Sequence, residues 1–371
     1  MDELEEHAVT NCYANESFAS DGDLMKAGGK ARKDCAAIMD HMGYKALDVI
    51  QSVSFKQNEP TKAAKVRRRL AAVHDWKEGC NSLKPGDVLV VQLPIRNHSL
   101  SVAKYLSRIR NLDVNVICLV HDLELFRLSK ADAVIRMKQK ELAKEETLLL
   151  QSATKIIVHN ERMQLLIGSA FGSNVAEKCV LLGCFDYLIE GSFSSTNLSR
   201  TKDSGVVVAG NLSRIKAGYV YELPPGMNYE LYGLNYNGQS SGSVHYNGAY
   251  PADELPSVMA GGFGLVWDGS SVDTCAGVYG EYLRINNPHK ASLYLAAGMP
   301  VIIWGEAAMA KFIVDSGAGI TVSSLTEIPT RIANMREADY SQMVKCARIL
   351  SERIRSGYFL ESALAAATED V

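Results

Sequence analysis

The residues best suited to chemistry sit in one string, Asn286-Asn287-Pro288-His289-Lys290, followed by an alanine- and leucine-rich run to Gly298 and an apolar run over 301–304. Proline fits the first turn of a helix, where its missing N–H removes nothing, and the N–H groups that follow are free to meet an anion. Lys290 adds a full charge to the partial positive charge of that helix start. Ala291, Leu293, Leu295 and Ala296 are the packing residues of the predicted helix, Gly298 stops it, and Pro300 opens a buried strand. The chemistry open to such a helix start is retention of a phosphate or carboxylate. The plainer reading is an ordinary helix–strand unit with a surface lysine.

Four further strings could join it. Gly210-Asn211-Leu212-Ser213-Arg214 follows the apolar run 206–209, so glycine permits close backbone approach while Arg214 can fork onto phosphate oxygens. Otherwise Asn211 or Ser213 simply caps a helix and Arg214 faces solvent. Gly261-Gly262-Phe263-Gly264-Leu265-Val266-Trp267-Asp268 couples a glycine turn to a buried strand ending in a carboxylate. Its backbone could read the edge of a base, or it is a turn and a core strand. His121-Asp122-Leu123-Glu124 supplies two carboxylates and an imidazole directly after the strongest apolar run of the first half. General-base work on a hydroxyl needs such a group within hydrogen-bond reach, and Asp122 or Glu124 fits that role; capping of the next helix is the alternative. The polar stretch 11–20, with Asn15, Glu16 and Ser17, reads as a loop after the first strand that could contact an acceptor.

Other strings do not sustain a site. Asp21-Gly22-Asp23 resembles a metal–nucleotide ligand pair, but it stands where aspartate commonly caps a helix. Gly28-Gly29-Lys30 lacks the earlier glycine and the Ser/Thr of a phosphate loop, and no G-x-G-x-x-G follows the first strand. The eight histidines never fall at a two-ligand helical spacing, so catalytic zinc is unsupported.

Short apolar runs alternating with helical patterns must position these strings, which is the mark of parallel α/β architecture. Strands are predicted over 7–10, 46–50, 88–92, 114–120, 155–159 and 179–182, with helices over 24–42, 61–79, 99–111, 128–151 and 161–170 between them. After a serine-rich stretch the alternation resumes with strands over 206–209, 229–234, 243–246, 264–267, 301–303 and 319–322. The expected organisation is a first domain over 1–188, a linker over 189–204, a second domain over 205–340, and helices over 341–371, one of which crosses back to the first domain. Two such domains leave a cleft between the carboxyl ends of their strands, which is where these strings lie.

At 371 residues with 47% hydrophobic and 22% charged residues, the chain is long enough for two cores. A net charge of −3 argues against a nucleic-acid partner. The basic cluster Lys62, Lys65, Arg67, Arg68 and Arg69 reads as a solvated helix face, with an anionic ligand or membrane surface as the lesser reading. Eight scattered cysteines without a C-x-x-C pair indicate neither disulfides nor structural zinc and fit a reducing cytoplasm. The acidic start is unlike a signal peptide, and no apolar run reaches the length of a membrane span.

The order G-N-x-x-R after a strand, then G-G-F-G-L-V-W, then N-N-P-H-K-x-S-L-Y-L-A-A-G-x-P-V-I, resembles a bacterial family of GT-B glycosyltransferases. That family includes glucosyltransferases that extend glycans on serine-rich-repeat adhesins and β-1,6-galactofuranosyltransferases. The resemblance is most specific over 206–322; in the first half T-N-x-x-x-N-E-S and H-D-L-E carry it. It implies two Rossmann-like doubly wound domains facing each other across a cleft. The second would hold a UDP-sugar through Gly210, Asn211, Arg214, Asp268, Tyr282, Asn286, Asn287 and Lys290, with Gly262, Phe263, Gly264 and Leu265 near the base. A lipid-linked or protein-linked saccharide would enter along the first domain, past Asn15, Glu16 and Ser17. The implied reaction moves glucose or galactofuranose in surface-glycan synthesis, with no cofactor or metal required. Asp122 or Glu124 would deprotonate the acceptor, and His121 would hold the acceptor or the diphosphate. Contact with the inner face of the membrane and homo-oligomerisation are compatible with this reading. A sugar-nucleotide epimerase and a non-catalytic sugar-nucleotide-binding partner are the alternatives.

Overall fold

A computed structural model of the chain describes residues 8–18, 27–52, 61–96, 100–127, 140–189, 200–240 and 242–369. The first sheet comprises β1 (Asn11–Phe18), β2 (Lys45–Gln51), β3 (Val88–Leu93), β4 (Asn115–Val120), β5 (Lys155–Val158) and β6 (Cys179–Leu181), in the order β2-β1-β3-β4-β5-β6. The second comprises β7 (Val206–Asn211), β8 (Tyr229–Leu234), β9 (Val244–Tyr246), β10 (Phe263–Val266), β11 (Val301–Trp304) and β12 (Gly319–Val322), in the order β12-β11-β10-β7-β8-β9. Every adjacent pair is parallel. Parallel strands buried on both faces read as unbroken apolar runs, and β3 and β11 are buried at every position. This is the GT-B plan of two doubly wound domains.

One strand departs from the sequence reading. The predicted strand over 7–10 and the loop after it are replaced by β1, so Asn15, Glu16 and Ser17 lie in a strand and not in a loop. β1 sits between β2 and β3, sending Cys12 and Ala14 into one core layer and Tyr13 into the other. Its polar second half approaches the carboxyl end of the sheet, where neighbouring side chains accept it. Asn15 donates to Asp48 Oδ1 at 2.8 Å, and Gln51 donates to Glu16 Oε2 at 3.2 Å. Asp21, Asp23, most of the predicted linker and the predicted helical segment 128–139 lie outside the described residues.

The last two helices, Glu337–Ser356 and Tyr358–Thr368, turn at Gly357, whose φ of 86° is a left-handed conformation that glycine adopts without penalty. The first packs in the second core through Tyr340, Ala347, Leu350 and Ile354. The other packs on the first sheet through Leu360, Ala363, Leu364 and Ala367. The Asp186 carboxylate accepts the N–H groups of Phe359 and Leu360 at 3.2 and 2.8 Å, satisfying donors that a helix start leaves free. All eight cysteines are free thiols. No described helix is long and apolar enough to cross a membrane.

Candidate active site

In each sheet the strand order reverses beside its first strand, between β1 and β3 and between β7 and β10. A reversal splays the loops that leave the carboxyl ends and opens a crevice for a ligand. Residues of the second domain meet the loops that leave the carboxyl ends of β4, β5 and β6. Leu123 N–H, after β4, donates to the Tyr282 hydroxyl at 3.1 Å, and Asn287 of the second domain bonds the residues following β5 and β6.

On the second-domain side, Lys290 Nζ donates to the Trp267 carbonyl at 2.9 Å and to Asp268 Oδ1 at 2.8 Å, directly after β10. Both side chains of this ion pair are mostly buried. The helix His289–Ala296 begins beside it with no side chain capping its first turn, so its N–H groups remain available. Pro288 is the residue before the helix, with φ −72° and ψ 130°. Asn286 Oδ1 and His289 Nε2 are buried without a hydrogen-bond partner. Burial, and then the charge of Lys30, lowers His289 to about 4, so its ring is neutral.

The end of β7 divides the predicted phosphate binders. Gly210 has φ 130° and borders Gly233, where an added Cβ would meet the Gly210 carbonyl oxygen at 1.8 Å. Asn211 Oδ1 accepts from Ser213 N–H at 3.0 Å and Asn235 Nδ2 at 3.1 Å, a turn-closing role. Arg214 is exposed and stacks over the Tyr221 ring at 4.0 Å. Lys216, which the sequence reading passed over, lies nearer the crevice. Its carbonyl accepts from Gly269 N–H, and its charge is felt at Asp122 across the cleft.

Gly262, Phe263, Gly264 and Leu265 require correction as nucleotide-binding residues. They lie at the entering end and middle of β10, are buried, and pack within the core. Tyr340 donates to the Gly262 carbonyl at 3.0 Å and its ring packs on Phe263, while a Cβ on Gly264 would stand 2.1 Å from the Tyr294 ring. Gly264 admits the Tyr294 ring and Gly262 the Thr201 carbonyl, and of this string Asp268, at the strand's exit, meets the cleft.

Opposite stand the three residues after β4. Asp122 is more open than Glu124, with 36% of its side chain exposed against 10%, and it has Arg127 at 3.6 Å. Burial raises its carboxyl above the ordinary range, against the pull of Arg127 and of a hydrogen bond from Tyr282. Tyr282 thus accepts from Leu123 N–H and donates to Asp122. Glu124 is committed, since both of its carboxylate oxygens meet the Arg127 guanidinium. His121 holds Gln92 Oε1 at 2.7 Å and stacks on Phe185 with ring centroids 5.4 Å apart. Burial and nearby Arg32 depress its pKa well below the ordinary value, which removes it as a cation for a diphosphate.

At the β1/β3 crevice of the first sheet, Glu16 accepts from Arg96 N–H at 3.0 Å, and burial pushes it up to about 7. Ser17 ends the polar stretch beside it. Asn287 ties the halves together. Its N–H donates to His159 Nδ1 at 2.9 Å, its amide donates to the His159 and Gly183 carbonyls, and its Oδ1 accepts from Asn160. That role is structural, and the repeated asparagine of the motif was its one sequence signal. Among the described residues no group of three or more His, Cys, Asp or Glu is arranged to hold a metal ion.

Comparison with known proteins follows the same division of the chain. The glucosyltransferase 3-like N-terminal domain matches residues 8–168 and the glucosyltransferase 3-like C-terminal domain matches residues 206–367. The chain is 30% identical to the beta-1,6-galactofuranosyltransferase WbbI of Escherichia coli K12, over 93% of this chain and 95% of that one. It is 24% identical to Glucosyltransferase 3 of Streptococcus parasanguinis, over 75% and 77%. Among solved structures, Anabaena HepE in complex with UDP shares the fold at a TM-score of 0.60 and 14% identity, covering 98% of this chain and 100% of that one. The chain therefore belongs to the glucosyltransferase 3-like family of glycosyltransferases.

Proposed function

We propose that the chain transfers a hexose, glucose or galactofuranose, from a UDP-sugar to a saccharide acceptor, with the donor diphosphate at Lys290 and the start of helix His289–Ala296. The observation that carries this reading is the convergence of a buried lysine and an uncapped helix start at the β7/β10 crevice. The relatives' names supply the two sugars, and a protein of the same fold has been solved with UDP.

In this reading the acceptor hydroxyl gives its proton to the Asp122 carboxylate as its oxygen bonds to the anomeric carbon. The bond from that carbon to the diphosphate oxygen breaks, and UDP leaves with the electron pair. Lys290, Lys216 and the helix N–H groups meet the charge that develops on the leaving oxygen, the service that preorganised dipoles and cations render in a dry cleft. Attack opposite the leaving group inverts the anomeric centre. These fixed positive groups supply the counter-charge, so turnover is expected to persist in excess EDTA. The acceptor enters along the first sheet, between Asp122 and Glu16.

Calorimetric titration with UDP tests the donor half. Lys290→Ala is expected to weaken UDP roughly ten- to a hundredfold, the loss of one charge-assisted hydrogen bond. Asp268→Asn accompanies it in a double variant, so that no buried carboxylate is left unpaired. UDP affinity in the double variant no weaker than in Asp268→Asn alone would overturn the site. An epimerised sugar nucleotide formed without acceptor would overturn the reaction.

A further inference from the structure

A cavity of about 330 Å³ opens between the domains beside the reacting groups. Its walls are apolar, built by Phe126, Leu165 and Leu166 of the first domain and Val278 and Ile285 of the second. Two of its lining residues, Arg127 and Tyr282, are the same groups that contact Asp122. Whatever fills the cavity is therefore next to the proposed base.

The charges at its rim are uneven. Arg127 is held by Glu124 and Asp122, and Arg284 by Glu281 and Glu306. Arg162 is exposed and, among the described residues, has neither a hydrogen bond nor an ion pair. An apolar chamber with a free guanidinium at its mouth fits a molecule with an apolar tail and an anionic group at its head. A sugar alone would leave the walls unfilled, and large exposed apolar side chains such as Leu165, at 67%, gain from cover.

We propose that this cavity is the acceptor's aglycone subsite. It takes an apolar chain joined to the acceptor saccharide through an anionic linkage, with the chain against Leu166, Val278 and Ile285 and the anion at Arg162. The proposal rests on the transferase reading, because it seats the saccharide toward Asp122, yet binding of the chain is measurable without any donor.

Methyl, butyl and octyl glucosides and galactosides, below their micelle concentrations, are titrated into the full chain without donor. Affinity is expected to rise about three- to fourfold for each methylene buried. Leu166→Asp abolishes that dependence on chain length, and Leu165→Asp, at a position too exposed to threaten folding, reduces it. Arg162→Ala weakens octyl phosphate while leaving octyl glucoside unchanged. UDP affinity, measured on the same samples, stays at the wild-type value in all three variants. Affinity independent of chain length in the wild type, or dependence that survives both leucine variants, would overturn the subsite. Loss of UDP binding in the wild type would instead overturn the donor reading and leave the chain-length result standing.

Discussion

Lys290 and Asp122 are both held back by partners, and in opposite senses. Lys290 is spent on Asp268 and on the Trp267 carbonyl, so a diphosphate must compete with a carboxylate for it. Asp268→Asn is expected to tighten UDP severalfold where Lys290→Ala weakens it, and calorimetry on the pair separates charge competition from loss of shape. Asp122 meets Arg127 through one contact at 3.6 Å, with the charge of Lys216 beyond it and a tyrosine hydroxyl, whereas Glu124 is closed by Arg127 on both oxygens. Asp122→Asn should therefore lower kcat by about a hundred- to ten-thousandfold, the span of general-base contributions, with UDP affinity unchanged. Glu124→Gln should act more weakly and through the position of Arg127. If steady-state rates reversed that order, Glu124 would be the base. The sequence put these carboxylates after one strand but could not separate them, because the choice is made by Arg127 and by Tyr282, 160 residues away from Asp122 along the chain.

Strands without a polar carboxyl half were legible at the level of elements, and β1 was not. β8 and β12 fall on their predicted residues, since nothing in Tyr229–Leu234 or Gly319–Val322 interrupts the strand pattern. β1 was hidden because the carboxyl end of a central strand is where the fold admits Asn and Glu, and a polar strand end resembles a loop. β10 misled in the other direction. Gly264, and Gly262 just before the strand, suggested backbone open to a base, but they make room for Tyr294 and for the chain at Thr201, which only three-dimensional contacts reveal. Gly264→Ala tests this directly. A methyl 2.1 Å from the Tyr294 ring must displace a side chain whose hydroxyl accepts the Ala209 N–H. The expected cost is about 1–3 kcal/mol of overpacking, seen as a lower denaturation midpoint of the second domain. A nucleotide contact there would instead cost UDP affinity at unchanged stability.

The two domains are joined at the cleft by a neutral histidine. His159 is buried, donates from Nε2 to the Val120 carbonyl at 3.0 Å, and accepts the Asn287 N–H on Nδ1 at 2.9 Å. A protonated ring has no acceptor, so protonation would break the bond to the second domain. Burial, only partly offset by backbone hydrogen bonds, lowers the folded pKa from 6.5 to about 4. The sign follows from linkage. Below 6.5 the unfolded chain takes up a proton that the folded chain refuses, so this stability is fully present above 6.5. It is lost progressively as pH falls toward 4, by on the order of 3 kcal/mol. Glu16 and Asp186, raised to about 7, work the other way and lose stability as pH rises from their unfolded values through 7. The whole-chain profile mixes both senses, so the measurement is a difference. His159→Gln keeps an acceptor and a donor but cannot titrate. Denaturant midpoints from pH 8 to pH 4 should show the wild type losing ground to the variant, with most of the change between 6.5 and 4. A difference constant with pH would mean that the domains are not held together by an unprotonated His159.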